Sequence, residues 1–380
     1  MGTVVSSDTR RRWLVVVAGT AVLVTLLGLV PVLRSTVAVG RTTASPDRIV
    51  ARALASAGVA YRADGESRGG LALPDISGFG DLATLLGGTT RTRIWWDGPR
   101  HWRVDTVDAT GESDTYGLPS STTTWDYGSR RLVTVVGDAR ARLPRADDLV
   151  APAAARRLLS SVGPQDRLSA LPPQRLDGRT ADGVRVVPGT GGSTIARADV
   201  WVDRATGLPL RVVVVGTTGG DALVSALSGV RVGRPDGRVL VPPAPPTARR
   251  SLETAPDLVA RVAQESPWAM PPRLGGLDAS GPLVGGTSTY GTGLVRVAVL
   301  PLPGRTARDV MRNATSAGSV LEEVEGGSRV RVGSSLLNAL LVRGDDRRHA
   351  YVVAGLVEPR VLDAVAADLL ASPPPPREAP

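Results

Sequence analysis

Residues 198–215, with the sequence ADVWVDRATGLPLRVVVV, predict two β-strands joined by a tight turn. The first strand ends at Asp203, and Thr206 and Gly207 close the turn, because glycine tolerates the positive φ that such a loop requires. The return strand is rich in valine, and β-branched residues favour a pleated, half-buried surface. Pro209 cannot donate a ladder hydrogen bond, so we expect it at the start of the strand or on a sheet edge.

A second hairpin is predicted upstream, where residues 93–96 and 101–105 flank a turn at residues 97–99. Several further strand-like segments follow one another with short turns, which is typical of an antiparallel meander. Five of the seven Trp residues lie on these segments: Trp95, Trp96, Trp102, Trp125 and Trp201. We therefore expect an antiparallel sheet with aromatic-lined strands at the centre of the molecule.

Length and composition set the broad class of the protein. The chain has 380 residues, of which 42% are hydrophobic, enough for two ordinary domains with sizeable cores. There is no Cys, which excludes disulfides, thiolate metal sites and a lipid-modified N-terminal Cys. The net charge is +9, and every basic residue is Arg. These arginines are scattered and interleaved with acidic residues, so the sequence does not favour nucleic-acid binding.

Residues 13–33 form an uncharged, mostly apolar segment of the length that crosses a bilayer core. Arg10, Arg11 and Arg12 precede it and favour a cytoplasmic N-terminus. A cleaved signal peptide is the alternative, although residues 36–38 form a poor cleavage site and the apolar core is long for a signal. In either case the remaining chain is expected outside the cytoplasm, and the uncleaved form would be a single-pass membrane protein.

Capping and periodicity predict the helices. Ser45 is the expected N-cap of a helix that starts at Pro46. A second helix is expected over residues 149–162. A short helix over residues 81–86 would present Leu82, Leu85 and Leu86 on one side, either as a lid or as ordinary cover for the core.

The fold class predicted from these patterns is α+β, with an N-terminal transmembrane helix, a large sheet domain and a smaller α+β domain. The Pro-rich stretch that ends near residue 254 indicates a linker between the two domains. The predicted units are a cytoplasmic N-terminus at 1–12, an anchor at 13–33, a β domain at 45–235, a linker at 236–254, a second domain at 255–371 and a disordered tail at 372–380.

The inventory of reactive residues argues against an enzyme. The only His residues are His101 and His349, both in strand-like segments, and no Ser has the sequence context of a hydrolase nucleophile. Asp147 and Asp148 open a helix, where they complement the helix dipole. No metal-ligand spacing and no phosphate-binding loop are present, so we predict neither a catalytic site nor a cofactor.

Three motifs in order resemble the LolA-like lipoprotein-localisation superfamily. They are the residues around Trp95 and Trp102, the Trp125 strand, and the pattern W-x-D-x-x-T-G-L-P-L-R that begins at Trp201. Within that superfamily, residues 45–235 are most similar to actinobacterial proteins of the MucB/RseB type, periplasmic regulators of extracytoplasmic-stress sigma factors. The resemblance implies a curved half-barrel with helices in its mouth, which binds a lipid, an acylated protein or an anti-sigma factor.

The predicted function is therefore a membrane-anchored extracytoplasmic sensor or regulatory binding protein. An apolar ligand or a membrane-bound anti-sigma-type protein would be its partner. A carrier of lipids or lipoproteins in the cell envelope is the alternative, and an envelope-assembly protein that binds only other proteins is a third. The predicted ligand-contacting residues are Trp95, Trp102, Trp125 and Trp201, with Leu82, Leu85 and Leu86 of the short helix. Alternation places Trp95 and Trp96 on opposite faces of the sheet.

Overall fold

The computed structural model of the chain describes residues 44–70, 87–107, 111–137, 144–243, 245–255, 268–280, 288–316, 318–346 and 348–375. Within these ranges no helix has both the length and the apolar character to cross a bilayer. The predicted segments 1–12 and 13–33 lie outside the described residues, as do Leu82, Leu85 and Leu86. The anchor and the short leucine helix therefore stay predictions.

The described chain is mainly sheet, and twelve strands form its larger sheet in the order β12-β6-β5-β4-β3-β2-β1-β11-β10-β9-β8-β7. Neighbouring strands are antiparallel except β12 and β6. The strands are β1 Tyr61–Gly69, β2 Thr89–Trp96, β3 Trp102–Val107, β4 Glu112–Gly117, β5 Ser121–Asp126, β6 Arg131–Val136, β7 Arg167–Leu176, β8 Arg179–Val187, β9 Ile195–Asp203, β10 Pro209–Gly216, β11 Asp221–Val232 and β12 Arg249–Thr254.

A second sheet of six strands follows in the order β15-β16-β20-β19-β18-β17. Its strands, together with the small β13–β14 pair that precedes them, are β13 Arg273–Leu274, β14 Leu277–Asp278, β15 Ser288–Tyr290, β16 Val297–Pro301, β17 Leu321–Val324, β18 Gly327–Gly333, β19 Asn338–Gly344 and β20 Ala350–Gly355. Five α-helices are described: α1 Pro46–Ala55, α2 Ala146–Leu149, α3 Ala151–Ser160, α4 Gly304–Ser316 and α5 Pro359–Ala371.

The hairpin of β9 and β10 is confirmed, and its turn uses the predicted residues. Gly207 has a φ of 77°, and its amide donates to the Asp203 carbonyl at 2.9 Å. The Thr206 hydroxyl donates to the Asp203 carboxylate at 2.6 Å, which fixes the turn from inside. Pro209 is the first residue of β10, where its missing amide removes no ladder hydrogen bond.

The large sheet curves, as a contact between the β7–β8 turn and a distant strand shows. Asp177 in that turn accepts hydrogen bonds from the amides of Gly229 and Val230 on β11, at 3.0 and 2.6 Å. Three strands lie between β7 and β11 in the sheet order, so this contact requires the β7–β8 hairpin to curl back. Helix α1 packs against β7, β8 and β9 inside this curve.

Strand β12 occupies a stretch that its proline content predicts as an extended linker. Residues 249–254 are extended, but they also pair in parallel with β6 at the end of the sheet. The open edge of β6 presents backbone donors and acceptors that the passing chain satisfies. The side chains of β12 remain exposed, and Leu252 is 76% accessible.

The second sheet is covered on both faces. Helix α5 packs with one set of sheet residues, which includes Leu340 and Val353. Helix α4 packs on the opposite face, with a separate cluster that includes Leu341 and Ala350. Alternation along β19 explains the division, because neighbouring residues such as Leu340 and Leu341 point to opposite faces. The result is a three-layer arrangement beside the large curved sheet.

Candidate ligand-binding cavity

The covered face of the large sheet, here called the inner face, is built by alternate residues of β8 to β11. Val200 is the cross-strand partner of both Val184 and Val212, and all three side chains are fully buried. Helix α3 packs on β10 and β11 and touches α1. Its first turns are rich in alanine, and Ala151 and Ala155 are fully buried, so small side chains let the helix approach the sheet closely.

The two sheets are joined at the edge of this face by hydrogen bonds of backbone and side-chain groups. The amide of Thr194 donates to the carbonyl of Leu356, and its hydroxyl donates to the carbonyl of Leu336 at 2.5 Å. The carboxylate of Asp166 accepts from the amide of Leu294 at 3.2 Å. Leu294 and Leu336 also belong to the hydrophobic core of the large sheet. The second sheet therefore closes one end of the inner face.

A cavity of about 410 Å³ remains between α3, the inner face and the loops of the second sheet. A volume of this size lies within the roughly 300–1,000 Å³ of small-molecule sites in proteins. Most of its lining is apolar, and the wall comes from three places: Ala154 and Leu158 on α3, Ile195, Val212, Val214, Ala222 and Leu223 on the sheet, and Leu294, Leu336, Leu337 and Leu356 from the second sheet.

Three charged side chains reach the wall of this cavity: Asp148, Arg157 and Arg296. Arg157 donates to the buried carboxylate of Asp148 at 2.9 Å, so these two charges neutralise each other. Arg296 is exposed, and no partner for its side chain occurs among the described residues. The cavity thus combines an apolar interior with one uncompensated positive charge on its second-sheet wall.

A smaller cavity of about 140 Å³ lies at the other end of the inner face. Trp96 stacks on Trp102 with ring centroids 6.0 Å apart, and Tyr61 lies 6.4 Å from Trp96. Arg156 lies over the Trp96 ring at 5.5 Å, and burial lowers the pKa of its guanidinium. Burial also raises the pKa of the Tyr61 phenol. This aromatic space is small for an organic ligand.

The four predicted Trp residues are not brought together. Trp102 lies on the inner face and lines the smaller cavity. Trp95, Trp125 and Trp201 lie on the opposite face, here called the outer face, where their cross-strand partners are Arg103, Asp114 and Arg211. Trp125 and Trp201 are buried and Trp95 is half-buried. None of these three lines the larger cavity.

On the outer face, three carboxylates have oxygens within 4.8 Å of one another: Asp105, Glu112 and Asp114. Arg103 lies among them and donates to Asp105 at 2.9 Å and to Asp114 at 2.8 Å. The Tyr127 hydroxyl also donates to Asp114, at 3.0 Å. A guanidinium already supplies the positive charge that a metal ion would bring, so we interpret the cluster as a largely buried ion-pair network.

Burial raises the pKa of Asp105 from its ordinary value of 3.8 to about 6, and the nearby charge of Asp114 acts in the same direction. The hydrogen bond from Arg103 lowers that pKa and limits the rise. The same two carboxylates raise the pKa of the Arg103 guanidinium despite its partial burial. The network therefore keeps Arg103 charged while it disfavours ionisation of Asp105.

Sequence reasoning missed most residues of the larger cavity, and the reason is their origin in distant segments. Leu158, Leu223 and Leu336 lie in three different parts of the chain, and no spacing pattern connects them. The pairing of Trp96 with Trp102, in contrast, was predictable from the sequence. Both lie beside the predicted turn at 97–99, and the hairpin closed by that turn pairs them directly.

No family model matches the chain, and no curated protein matches it. Solved structures do show similarity. In the complex structure of Pseudomonas aeruginosa MucA/MucB, one chain is 17% identical, and the match covers 84% of this chain and 96% of that chain with a TM-score of 0.46. LprF from Mycobacterium bovis is 12% identical over 52% of this chain and 99% of its own, with a TM-score of 0.30.

A LolA superfamily protein from Nitrosomonas europaea is 10% identical over 53% of this chain and 99% of its own, with a TM-score of 0.25. The structural neighbours of the chain thus include MucB and proteins of the LolA superfamily, the groups that the sequence motifs resemble. At these identities the likeness concerns the fold.

Proposed function

We propose that the protein is an extracytoplasmic binding protein that takes an apolar chain into the cavity between α3, the inner face and the second sheet. The observation that supports this proposal is the cavity itself, about 410 Å³ of space with a mostly apolar wall. An apolar chain that enters this cavity contacts the lining atoms and removes apolar surface of both the chain and the wall from water, which favours binding.

The wall also indicates the class of ligand. Among the described residues of the wall, Arg296 carries the one charge without a partner, and it lies at the edge of a mostly apolar space. A long-chain carboxylic acid or an acylated ligand with an anionic end places its chain in the cavity and its charge beside Arg296. Arginine suits this role, since its planar guanidinium binds a carboxylate through two parallel hydrogen bonds.

The regulatory part of the proposal follows from the position of the cavity. Its wall is shared by the large sheet and by the loops of the second sheet, so an occupant binds both at once. A ligand that prefers one arrangement of these two walls shifts the protein toward that arrangement. The partner that would respond is a membrane-bound regulator of the anti-sigma class, which is the partner implied by the sequence resemblance.

A photoreactive palmitate analogue tests the ligand site on the purified full-length chain. The expected result is crosslinking to α3 and to the loop around Leu294, in competition with unlabelled palmitate. Ala154→Phe fills the cavity from α3 and is expected to abolish the crosslink. Ala153→Phe is the matched control, because the neighbouring Ala153 lines the smaller cavity instead. Loss of the crosslink in both variants, or in neither, contradicts the proposal.

The proposed location is the cell membrane, with residues 13–33 as an uncleaved anchor and the bulk of the chain outside the cytoplasm. The absence of Cys makes any introduced thiol unique. In intact cells a membrane-impermeant maleimide is expected to label Ser372→Cys, whose position is exposed, and to leave Thr3→Cys unlabelled until the cells are lysed. Labelling of both positions before lysis contradicts the proposed topology.

A further inference from the structure

A groove of about 280 Å³ lies on the outer face where β11, β1 and β2 meet. Three arginines line it, Arg62 on β1, Arg93 on β2 and Arg231 on β11. Trp95 and Asp64 also line the groove. The groove is on the opposite face from the apolar cavity, so the two sites are physically separate.

The pairing of the strands brings these arginines together. Arg231 and Arg62 are direct cross-strand partners, and Arg62 is in turn the partner of Trp95 on the next strand. Arg93 is the cross-strand partner of Asp64 on the same face. Side chains of directly opposed residues on one face lie about 5 Å apart at their Cβ atoms. The three guanidiniums therefore surround one space.

A bulge shapes the groove at this point. The register of β1 against β11 shifts between Arg62 and Asp64, and Gly229 adopts a φ of 61° in the bulged strand. The carboxylate of Asp177 accepts hydrogen bonds from the amides of both Gly229 and Val230, which holds the bulge in place. A bulge bends its strand and redirects the side chains beside it, here Arg231.

The charges in the groove do not cancel. Among the described residues, Arg62, Arg93 and Arg231 have no ion pair and no side-chain hydrogen bond, and Asp64 is the one acidic residue in the wall. Asp105 on β3 is the cross-strand partner of Arg93, but its carboxylate is paired with Arg103. The three guanidiniums and the Asp64 carboxylate of the groove therefore leave two positive charges. Arg231 opposite Arg62 is also a like-charge pair, which destabilises a sheet. Nearby arginines behave differently: Arg91 and Arg103 both lie within ion-pair distance of carboxylates.

We propose that this groove binds a phosphate group, either free or as the ester of a lipid head group. A phosphate monoester has a charge of about −1.5 to −2 at neutral pH, which matches the excess in the groove. Guanidinium groups bind phosphate oxygens through paired hydrogen bonds, and three of them can share its oxygens.

The aromatic residue in the groove argues against a nucleotide base as part of the ligand. Trp95 is the ring on which a base would stack, and the guanidinium of Arg103 already lies 5.0 Å from its centroid. The wall thus offers charge for a phosphate, while one face of its aromatic ring is already covered by Arg103. Charged side chains make up half of the residues that line the groove, so a bound lipid would present only its head group here.

The test compares two double variants of the full-length chain that lose the same charge. Arg62→Gln with Arg231→Gln changes the groove, and Arg167→Gln with Arg175→Gln changes two exposed arginines on β7. Binding of inorganic pyrophosphate is measured by calorimetry. Binding to phosphatidylcholine vesicles with and without phosphatidic acid, a lipid with a phosphate monoester, is measured by flotation. We expect the groove variant to bind at least about tenfold more weakly than the β7 control.

Thermal unfolding separates loss of binding from loss of folding. The groove variant removes a like-charge pair, so it is expected to unfold at the same temperature as the wild type or higher. Pyrophosphate is expected to raise the unfolding temperature of the wild type and of the β7 control, because it binds the folded state. The groove variant is expected to show no such rise.

Each outcome has a defined meaning. Groove-dependent binding of pyrophosphate identifies a site for free phosphate groups. Groove-dependent binding only to vesicles with phosphatidic acid identifies a site for a lipid head group. Equal weakening in both double variants shows a nonspecific charge effect and overturns the proposal, as does the absence of binding to either probe. Crosslinking of palmitate in the apolar cavity is unaffected by this result, so the two proposals fail independently.

Discussion

Strands β8 to β11 and strands β5, β6 and β12 belong to the same sheet, but they are stabilised in different ways. In the first group, Val184, Val200 and Val212 are fully buried beneath α1 and α3. In the second group, no residue of β6 or β12 is buried, and Leu252 is 76% exposed. The network around Arg103 lies between the two groups.

One continuous hydrogen-bonded sheet thus combines a rigid part and a loosely held end. The ladder of backbone hydrogen bonds is common to both ends. Burial of apolar area, which contributes most of the free energy of folding, is concentrated beneath the helices. Local opening is expected to begin where apolar contacts are few. The end formed by β6 and β12 is therefore the part of the sheet expected to open first.

The largest expected effect comes from shortening a buried side chain in the first group. Leu210→Ala removes three carbon atoms from a side chain that is 1% exposed on β10, so we expect the free energy of unfolding to fall by about 2–5 kcal/mol. Leu252→Ala makes the same change on β12 and is expected to alter it by less than about 0.5 kcal/mol. Urea denaturation of both variants measures the difference. Equal losses would remove the distinction between the two ends.

An intermediate effect is expected from Asp105, in the network between the two groups. Its pKa is about 6 in the folded protein against an ordinary 3.8, so the folded state binds this proton more tightly. The corresponding stabilisation is fully present below about pH 4 and is lost as the pH rises through about 6. Over that range, the wild type is expected to lose on the order of 1–3 kcal/mol relative to Asp105→Asn.

Urea denaturation at several pH values between 4 and 7, with both proteins at each pH, gives this difference directly. Carboxylates distant from Asp105 titrate in the same range, but they are common to both proteins and cancel in the comparison. A difference between the two proteins that does not change with pH would contradict the raised pKa. A difference that changes in the opposite direction would show that Arg103 outweighs burial.

The smallest effect is expected at the loosely held end. Arg131 and Glu253 form an exposed ion pair at 3.4 Å between β6 and β12. Exposed pairs of this kind contribute at most about 0.2–1 kcal/mol, so a double-mutant cycle with Arg131→Gln and Glu253→Gln is expected to give a coupling energy in that range or below it. A coupling energy well above 1 kcal/mol would show that side chains hold β12 firmly, and it would contradict the description of this end of the sheet as loosely held.

Much of the fold was predictable from local sequence. Asp97–Gly98 and Thr206–Gly207 mark turns, and the strands on either side of each turn pair as expected. Ser45 caps α1 by accepting a hydrogen bond from the amide of Arg48, as its sequence position predicts. These features depend on residues only a few positions apart, and such residues impose their conformational preferences wherever the segment lies in the fold.

The candidate site was less predictable. Alternation shows that Trp95 and Trp96 face opposite sides, but it does not show which side the helices cover. In the structure α3 lies on the side of Trp96, so Trp95 is left on the outer face beside Arg62. The proline content of residues 236–254 likewise predicts an extended chain without indicating that part of it pairs with β6.

Local sequence is sufficient to indicate the strands, the turns between them, the cap of α1 and the apolar segment at residues 13–33. Each of these depends on periodicity or on the φ and ψ preferences of neighbouring residues, which act over a few positions. The place of the apolar cavity and the gathering of arginines without partners depend on the tertiary fold. Both result from packing between segments that are far apart in the chain, and the curvature of the sheet sets which of those segments meet.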